Sequence, residues 1–369
     1  MILRSLSIDN FKNIGRARLE FSPKVNGLLG RNGMGKSNLL DAIFTLSFTK
    51  SFSRVSDAML IRSGEQFALV RASYLRLGAD EDLSLGLTEG KRKSLKRKGK
   101  EYQKISDHIG AFPLVMVSPA DVDLVRESPD ERRRWMDMVI SQSDARYLDA
   151  LIRYNRGMEQ RNRLLKDAIS DRAMYEAIEA MMEPAADYIF AARTEWVERL
   201  LPIFREYYGR ISGGGEEPGL RYVSQMQQAL SYREMMESHA IRDFALRHTS
   251  AGPHRDDIEM TLNGMEMRRT GSQGQCKTFV IALRLAQYEF LSRATRMKPI
   301  LLLDDIFDKL DSTRVERIVQ LVEDPSFGQI FITDTNRSHL DEIMARSSGD
   351  YRLWQVNDGD FTPLHHEEG

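Results

Sequence analysis

The stretch "VNGLLGRNGMGKSNLLDAI", Val25 to Ile43, decides the fold. Its first five residues read as a buried strand, and "NLLDAIFTLSF" after it has apolar residues at helical spacing. Between them, Gly30 to Ser37 satisfies G-x-x-x-x-G-K-[ST], a pattern that arises by chance in about one chain of this size per hundred. The chemistry needs these residues at this spacing. Glycines let successive backbone N–H groups curl around a phosphate, and the start of the helix adds its positive end. The expected nucleotide contacts are Gly30, Arg31, Asn32, Gly33, Met34, Gly35, Lys36, Ser37 and Asn38. Lys36 reaches the β and γ oxygens, and Ser37 is a ligand for Mg2+. The competing reading is a glycine turn capping an ordinary helix.

Working outward, "PILLLDD" supplies a second element of the same chemistry. Four apolar residues form a buried strand that delivers two carboxylates at its end. Asp304 is placed to hold Mg2+, and Asp305 to polarise an attacking water as general base. A third element, "TGSQGQCKTF" at Thr270 to Phe279, is a Ser-Gly turn opening the helix expected over 274–293. One nucleotide has one γ-phosphate, which Lys36 already covers, so a second anion-binding helix start makes sense in service of another molecule's nucleotide. By itself it also reads as a simple helix cap.

Taken together these elements resemble the ATP-binding-cassette (ABC-type) ATPases, in which a signature loop of one subunit closes over ATP held by the other. The resemblance implies that Ser272, Gly274 and Gln275 contact ATP in trans, with Ser272 catalytic beside Lys36 and Asp305. Asp311 in "DKLD" resembles that class's D-loop and also suits an N-cap for the helix 312–323. Two departures stand out. "FITDTN" offers Thr333, Asp334 and Thr335 where the class places a histidine, and no Q-loop glutamine is identifiable. Slow hydrolysis is the expectation.

The chain around these motifs divides into an α/β start, a mostly helical middle and an α/β finish. Strands are expected around Ile2–Ile8, in "ARLEF", in "VNGLLG" and over 67–87. "SPDE" offers Ser128 as N-cap, Pro129 at the first helical position and Glu131 closing a capping box. Helical patterning follows to Ile211, interrupted near 170–172 and bent or broken at Pro184 and Pro202. "SGGGEEPG" at 212–219 reads as loop, "REMMESHAIRDFALRH" as helix, and "IEMTLNGMEMRR" as a hairpin turning at Asn263-Gly264. The C-terminal part alternates strand and helix, the pattern of a parallel sheet. The expected architecture is therefore α/β, an ATPase head with a mixed or parallel sheet carrying the phosphate loop. Its ATPase domain spans 1–120 and 250–369, interrupted by a helical lobe over 121–249.

Composition narrows the function classes. With 53 Lys plus Arg against 54 Asp plus Glu, attraction to nucleic acid has to come from local patches. The single cysteine, Cys276, excludes an internal disulfide framework and a Cys-rich zinc site, and fits a reducing, cytoplasmic compartment. No apolar run approaches the length of a membrane span, and Arg4 and Asp9 argue against a signal peptide.

A cassette without membrane segments, interrupted by a helical insertion, is similar to the chromosome-maintenance and repair branch. The long-coiled-coil members are set aside, because Pro184 and Pro202 interrupt any long heptad and a Cys-x-x-Cys hook is absent. What remains resembles the RecF family of bacterial recombination mediators. The match runs nearly end to end through "IDNFKN", "GRNGMGKSNLLDAI", "LIRSG", "VSPADVDLVRESPDERRRWMD", "GPHRDD", "GSQGQ" and "PILLLDDIFDKLD". It implies an ATP-dependent DNA-binding protein of replication, DNA damage repair and the SOS response. Such a protein dimerises around two nucleotides, acts on double-stranded DNA near gaps, and loads a recombinase with RecO and RecR. It also implies that Asn10 and Lys12 approach the nucleotide base. His254, Arg255 and Asp256 in "GPHRDD" have no assigned chemistry, the plain reading being a lobe-organising turn with Arg–Asp pairing. Two other functions compete: a DNA-binding scaffold with a vestigial ATPase, and the ATPase half of an OLD-type nuclease, which needs an appended acidic metal domain.

Two basic features are candidates for DNA. "KRKSLKRKGK" carries Lys91, Arg92, Lys93, Lys96, Arg97, Lys98 and Lys100 around a hairpin tip at Gly99. Arg146, Arg153, Arg156 and Arg163 recur at spacings that share one helix face. Either is also a solvated surface. With no base-reading motif, backbone contact with little sequence preference is expected.

Overall fold

The computed structural model describes residues 1–229, 231–307, 310–322, 324–346 and 350–364. It opens with β1 (Ile2–Phe11), β2 (Ile14–Glu20) and β3 (Val25–Leu29), then α1 (Lys36–Phe48). There follow β4 (Phe67–Arg76), β5 (Ala79–Thr88), β6 (Ser94–Arg97), β7 (Lys100–Glu101) and β8 (Leu114–Val117). The middle comprises α2 (Asp123–Arg126), α3 (Pro129–Ser143), α4 (Ala145–Lys166), α5 (Arg172–Ser212), β9 (Pro218–Val223) and α6 (Tyr232–Leu246). It continues through β10 (Asp257–Leu262), β11 (Met265–Glu266), α7 (Met267–Thr270) and α8 (Gln273–Thr295). The finish is β12 (Ile300–Asp304), α9 (Ser312–Val322), β13 (Ile330–Asp334), α10 (Arg337–Arg346), β14 (Tyr351–Asn357) and β15 (Asp360–Leu364).

Two compact units result, Met1–Asp121 with Gln287–Gly369, and Val122–Ala286. The first holds two six-stranded sheets. One is antiparallel, in the order β2-β1-β4-β5-β6-β7; the other runs β15-β14-β3-β13-β12-β8 and is parallel except for β15. Every residue of β3, β12 and β13 is buried, which is why "VNGLL", "ILLLD" and "IFITD" show no exposed alternate positions. The antiparallel strands alternate instead, with Leu83, Leu85 and Leu87 on the buried face of β5. Gln329 ties the sheets together: its side chain bonds the N–H and C=O of Leu3 and the C=O of Ser22.

The second unit contains α2 to α7, the start of α8, and the small sheet β11-β10-β9. Residues 250–286, assigned from sequence to the ATPase domain, group with this unit. The reason is β9, a strand not expected at 218–223, which pairs antiparallel with β10 from Asp257↔Val223 to Leu262↔Pro218. Asn263 and Gly264 both adopt positive φ, as the Asn-Gly pair suggested for this turn.

Two local expectations fail. Ser128 does precede α3, but its side chain makes no cap hydrogen bond, so the capping box does not form; Glu131 instead pairs with Arg134 at 3.3 Å. Pro184 and Pro202 do not break the helix either, since α5 runs 41 residues through both. Each proline removes one backbone donor. Buried residues on either side, including Met182, Ala186, Ile189, Leu200 and Phe204, hold the helix along α4 and β9, and that packing outweighs the loss.

Candidate nucleotide site

The phosphate loop leaves the end of β3 and enters α1 through glycines whose conformation or surroundings exclude a side chain. Gly35 adopts a left-handed φ, and a Cβ there would lie 2.9 Å from the amide of Asn13. A Cβ on Gly30 would meet the carbonyl oxygen of Val356 at 2.5 Å. Neighbouring elements brace the loop: the amide of Gly359 donates to Met34 O at 2.8 Å, and the side chain of Asn38 donates to Asn13 Oδ1 at 2.8 Å. Lys36 is 3% exposed, its ammonium folded onto the carbonyls of Gly30 at 2.7 Å and Arg31 at 3.2 Å. It therefore sits inside the loop's own curl, where a phosphate would take over its donors.

Asp304 ends β12, and its Oδ1 accepts the Ser37 hydroxyl and the Thr333 hydroxyl, both at 2.8 Å. Burial pushes its carboxyl up; the hydroxyls of Thr333 and Ser37 pull the other way, and the charge of Asp305 adds to the rise. Asp305 follows in a left-handed backbone conformation, and its amide donates to Thr333 Oγ1 at 3.0 Å. Ser37, Asp304, Asp305 and Lys36 are thus brought together around one loop mouth. Asp311 caps α9, its Oδ1 accepting the amide of Arg314 at 3.0 Å. The neighbouring Asp308 and Lys309 lie outside the described residues.

Asn10 lines an open cleft of about 890 Å³ beside the loop, with Asn13, Arg16, Arg62 and Phe67. Lys12, expected near the base, has its ammonium 2.5 Å from the buried carboxylate of Asp41 on α1. The sequence reading missed Asn13, Asp41 and Gly359, none of which belongs to a spacing pattern; only the fold carries them to the loop.

In the other unit, Ser272 and Gln275 form a reciprocal cap at the start of α8. The Ser272 hydroxyl accepts the Gln275 amide at 3.2 Å. The Gln275 side chain accepts the Ser272 amide at 2.9 Å, completing the exchange. Gln275 also donates to Glu216 at 2.7 Å. Ser272 remains exposed at the helix tip, with Gly274 in the first turn.

The "GPHRDD" segment organises that unit. Asp256 is 1% exposed and meets the guanidinium of Arg193 at 3.0 Å and the hydroxyl of Tyr222, while Asp257 takes both arms of Arg132 at 2.6 and 2.9 Å. His254 contacts Tyr154 at 2.8 Å and Thr249 O at 3.1 Å, and burial depresses its pKa to about 4. The lobe-organising Arg–Asp turn is what the structure contains.

The basic run around the β6–β7 turn divides. Lys91, Arg92, Lys96, Lys98 and Lys100 are exposed, but Arg97 forms a two-armed bond to buried Glu81 and Lys93 bonds Asp57. Lys98 also lies 3.5 Å from Glu81. On α4, Arg146, Arg153, Arg156 and Arg163 are all exposed. Arg146 stacks on Tyr188, Arg153 pairs with Asp149 at 2.6 Å and Arg163 lies 3.9 Å from Asp167. Among the described residues, no helix is long and apolar enough to cross a membrane.

Comparison with known proteins is consistent along the whole chain. Residues 2–353 match the family described as "RecF/RecN/SMC N terminal domain". The chain is 49% identical to "DNA replication and repair protein RecF" of Parabacteroides distasonis, covering 99% of this chain and 100% of that one. It is 48% identical to the protein of the same name from Porphyromonas gingivalis, covering 97% and 99%. A solved structure of "the recombination mediator protein RecF-ATP in RecFOR pathway" superposes with a TM-score of 0.87 at 28% identity, over 99% of this chain and 98% of that one. An Smc head domain from Pyrococcus furiosus matches at 0.58 and 18% identity over 98% and 96%, a likeness of fold. By motif, architecture and full-length similarity, this chain belongs to the RecF family of DNA replication and repair proteins.

Proposed function

We propose that this protein is an ATP-driven, DNA-binding switch of recombinational repair. ATP bound by Lys36 and the loop amides of one subunit would be covered by Ser272 and Gly274 of a second copy. The joined pair would clamp double-stranded DNA near gaps and assist recombinase loading with RecO and RecR, and slow hydrolysis would release it. The observation that carries the reading is the Ser37–Asp304 contact of 2.8 Å at the mouth of the glycine loop. Two hard oxygen donors there suit Mg2+, which takes few protein ligands and completes its shell with water and phosphate oxygens. Ser37 and Asp304 would hold the ion, which when bound neutralises charge on the phosphates. Asp305 would orient and deprotonate the attacking water, and Lys36 would stabilise the developing charge. A γ-phosphate gripped by two copies supplies the differential contact that a nucleotide-dependent equilibrium requires.

Sedimentation with and without a non-hydrolysable ATP analogue, in the presence of duplex DNA, tests it. The wild type is expected to dimerise only with nucleotide, Ser272→Arg to remain monomeric, and Asp305→Asn to persist as a dimer with ATP itself. Undiminished nucleotide-induced pairing by Ser272→Arg would refute the shared-site model.

A further inference from the structure

Thr333 stands at a junction that the site chemistry above leaves without a role. Its strand, β13, lies between the strand that feeds the phosphate loop and the strand that ends in the carboxylates, so that Thr333 is in register with Leu28 on one side and Asp304 on the other. It is fully buried, at 0% exposure. A threonine hydroxyl has one proton and two acceptor sites. Here the proton goes to Asp304 Oδ1 at 2.8 Å, and one acceptor site takes the amide of Asp305 at 3.0 Å. Asp304 Oδ1 in turn takes the Ser37 hydroxyl, so one chain of hydrogen bonds runs from the loop to the backbone of Asp305.

The backbone of Asp305 needs holding. Its positive φ lies in the left-handed region that residues with a Cβ enter reluctantly and keep only where surroundings impose it. The Thr333 hydroxyl is a side-chain restraint on that residue's amide, and it arrives from a different strand.

We infer that Thr333 is a positioning residue for hydrolysis: its hydroxyl locks the Asp305 backbone to the Asp304 carboxylate and so sets where the Asp305 side chain stands. This rests on the reading of Asp305 as general base. Thr333 touches neither phosphate nor water in this scheme and meets the Mg2+ site only through Asp304 Oδ1. Its main effect therefore falls on turnover, and the part of a hydrolysis deficit that excess Mg2+ does not rescue belongs to Asp305. Valine at 333 keeps the branched shape and removes both hydrogen bonds; serine keeps both.

The test is single-turnover ATP hydrolysis by the full chain with duplex DNA, alongside titration of a fluorescent ATP analogue and thermal melts. Thr333→Val should lower the hydrolysis rate about 10- to 100-fold with analogue affinity within about 3-fold of wild type, and Thr333→Ser should restore the rate to within about 3-fold. A folded Thr333→Val that hydrolyses at the wild-type rate overturns the inference. So does a loss confined to nucleotide affinity, or a Thr333→Ser as slow as valine. Should valine prevent folding, Thr333→Ala is read by the same criteria. Asp305→Asn separates the two levels: if it is inactive while Thr333→Val is fully active, only the role of Thr333 fails. If Asp305→Asn itself hydrolyses normally, the general-base reading fails and takes this inference with it.

Discussion

The hydroxyl of Ser37 donates to Oδ1 of Asp304 across 2.8 Å, joining residues 267 positions apart in the chain. Neither residue would be notable alone. Their contact makes the end of β12 and the start of α1 one polar floor at the mouth of a glycine loop. Ser37→Ala and Asp304→Asn should each lower Mg2+-dependent ATP hydrolysis by about 100-fold or more while leaving the melting temperature within a few degrees. Hydrolysis rates over a Mg2+ titration, with melts in parallel, check this.

The conformation of Gly35 yields a second expectation. Its φ is left-handed and the side-chain amide of Asn13 lies 2.9 Å from any added Cβ, so Gly35→Ala strains the backbone and displaces Asn13 from its bond to Asn38. Affinity for ATP should fall at least ~10-fold by nucleotide titration, with far-ultraviolet circular dichroism unchanged.

Exposure and pairing separate two groups of basic residues in the β6–β7 region. Lys91→Ala, Lys96→Ala and Lys100→Ala combined should reduce the slope of log K against log salt for duplex DNA by about 2 to 3, if each neutralises one phosphate. Arg97→Ala should act on stability instead, because it removes the two-armed partner of the buried Glu81 carboxylate and leaves it only Lys98, at 3.5 Å. A loss of about 1–2 kcal/mol in chemical denaturation is expected, with the salt slope of DNA binding unchanged.

Arg193 is 2% exposed and meets Asp256 at 3.0 Å and Asp137 at 2.9 Å. Arg193→Met leaves Asp256 buried without its cation and should destabilise by about 3–5 kcal/mol. Adding Asp256→Leu should recover part of that loss in urea titrations by removing the unpaired charge. The remainder belongs to the Tyr222 hydroxyl, which loses Asp256, and to Asp137, which loses Arg193.

Two buried histidines predict an acid limb in stability. His108 and His254 both have pKa values depressed to about 4, chiefly by burial. Between that value and the ordinary range of a free imidazole the unfolded chain binds protons that the folded chain does not, so stability falls as pH falls through this window. Each histidine contributes up to about 1.4 kcal/mol per pH unit. His108→Gln should therefore show a shallower loss of melting temperature between about pH 6.5 and 4.5 than the wild type.

Much of the site was legible before the fold was known, because its chemistry demands fixed residue types at fixed spacing. The glycines of 30–35 with Lys36 and Ser37 state a backbone curl and its cation. The run of 301–303 before Asp304 states a strand buried on both faces. The Ser-Gly turn at Ser272 was visible as a helix start, and Asn263-Gly264 as a turn, since both depend on near neighbours in the chain. Where local rules failed, either longer-range packing had the larger energy or another local contact took the same side chain. The two prolines of α5 remain inside a continuous helix, and the capping box at Ser128 gives way to an Arg134 pair.

The amino-acid sequence by itself determined the phosphate loop, the carboxylate strand, the α/β class and the family, all encoded in short contiguous stretches with their own local physics. Only the tertiary structure decided that Lys12 is tied to Asp41, that Arg97 is tied to Glu81, that β9 draws residues 250–286 into the helical unit, and that Thr333 joins Asp304 to Asp305. These are pairings between residues far apart in the chain. A buried charge or strand edge takes whichever partner the closed fold brings near, and no local pattern specifies that choice.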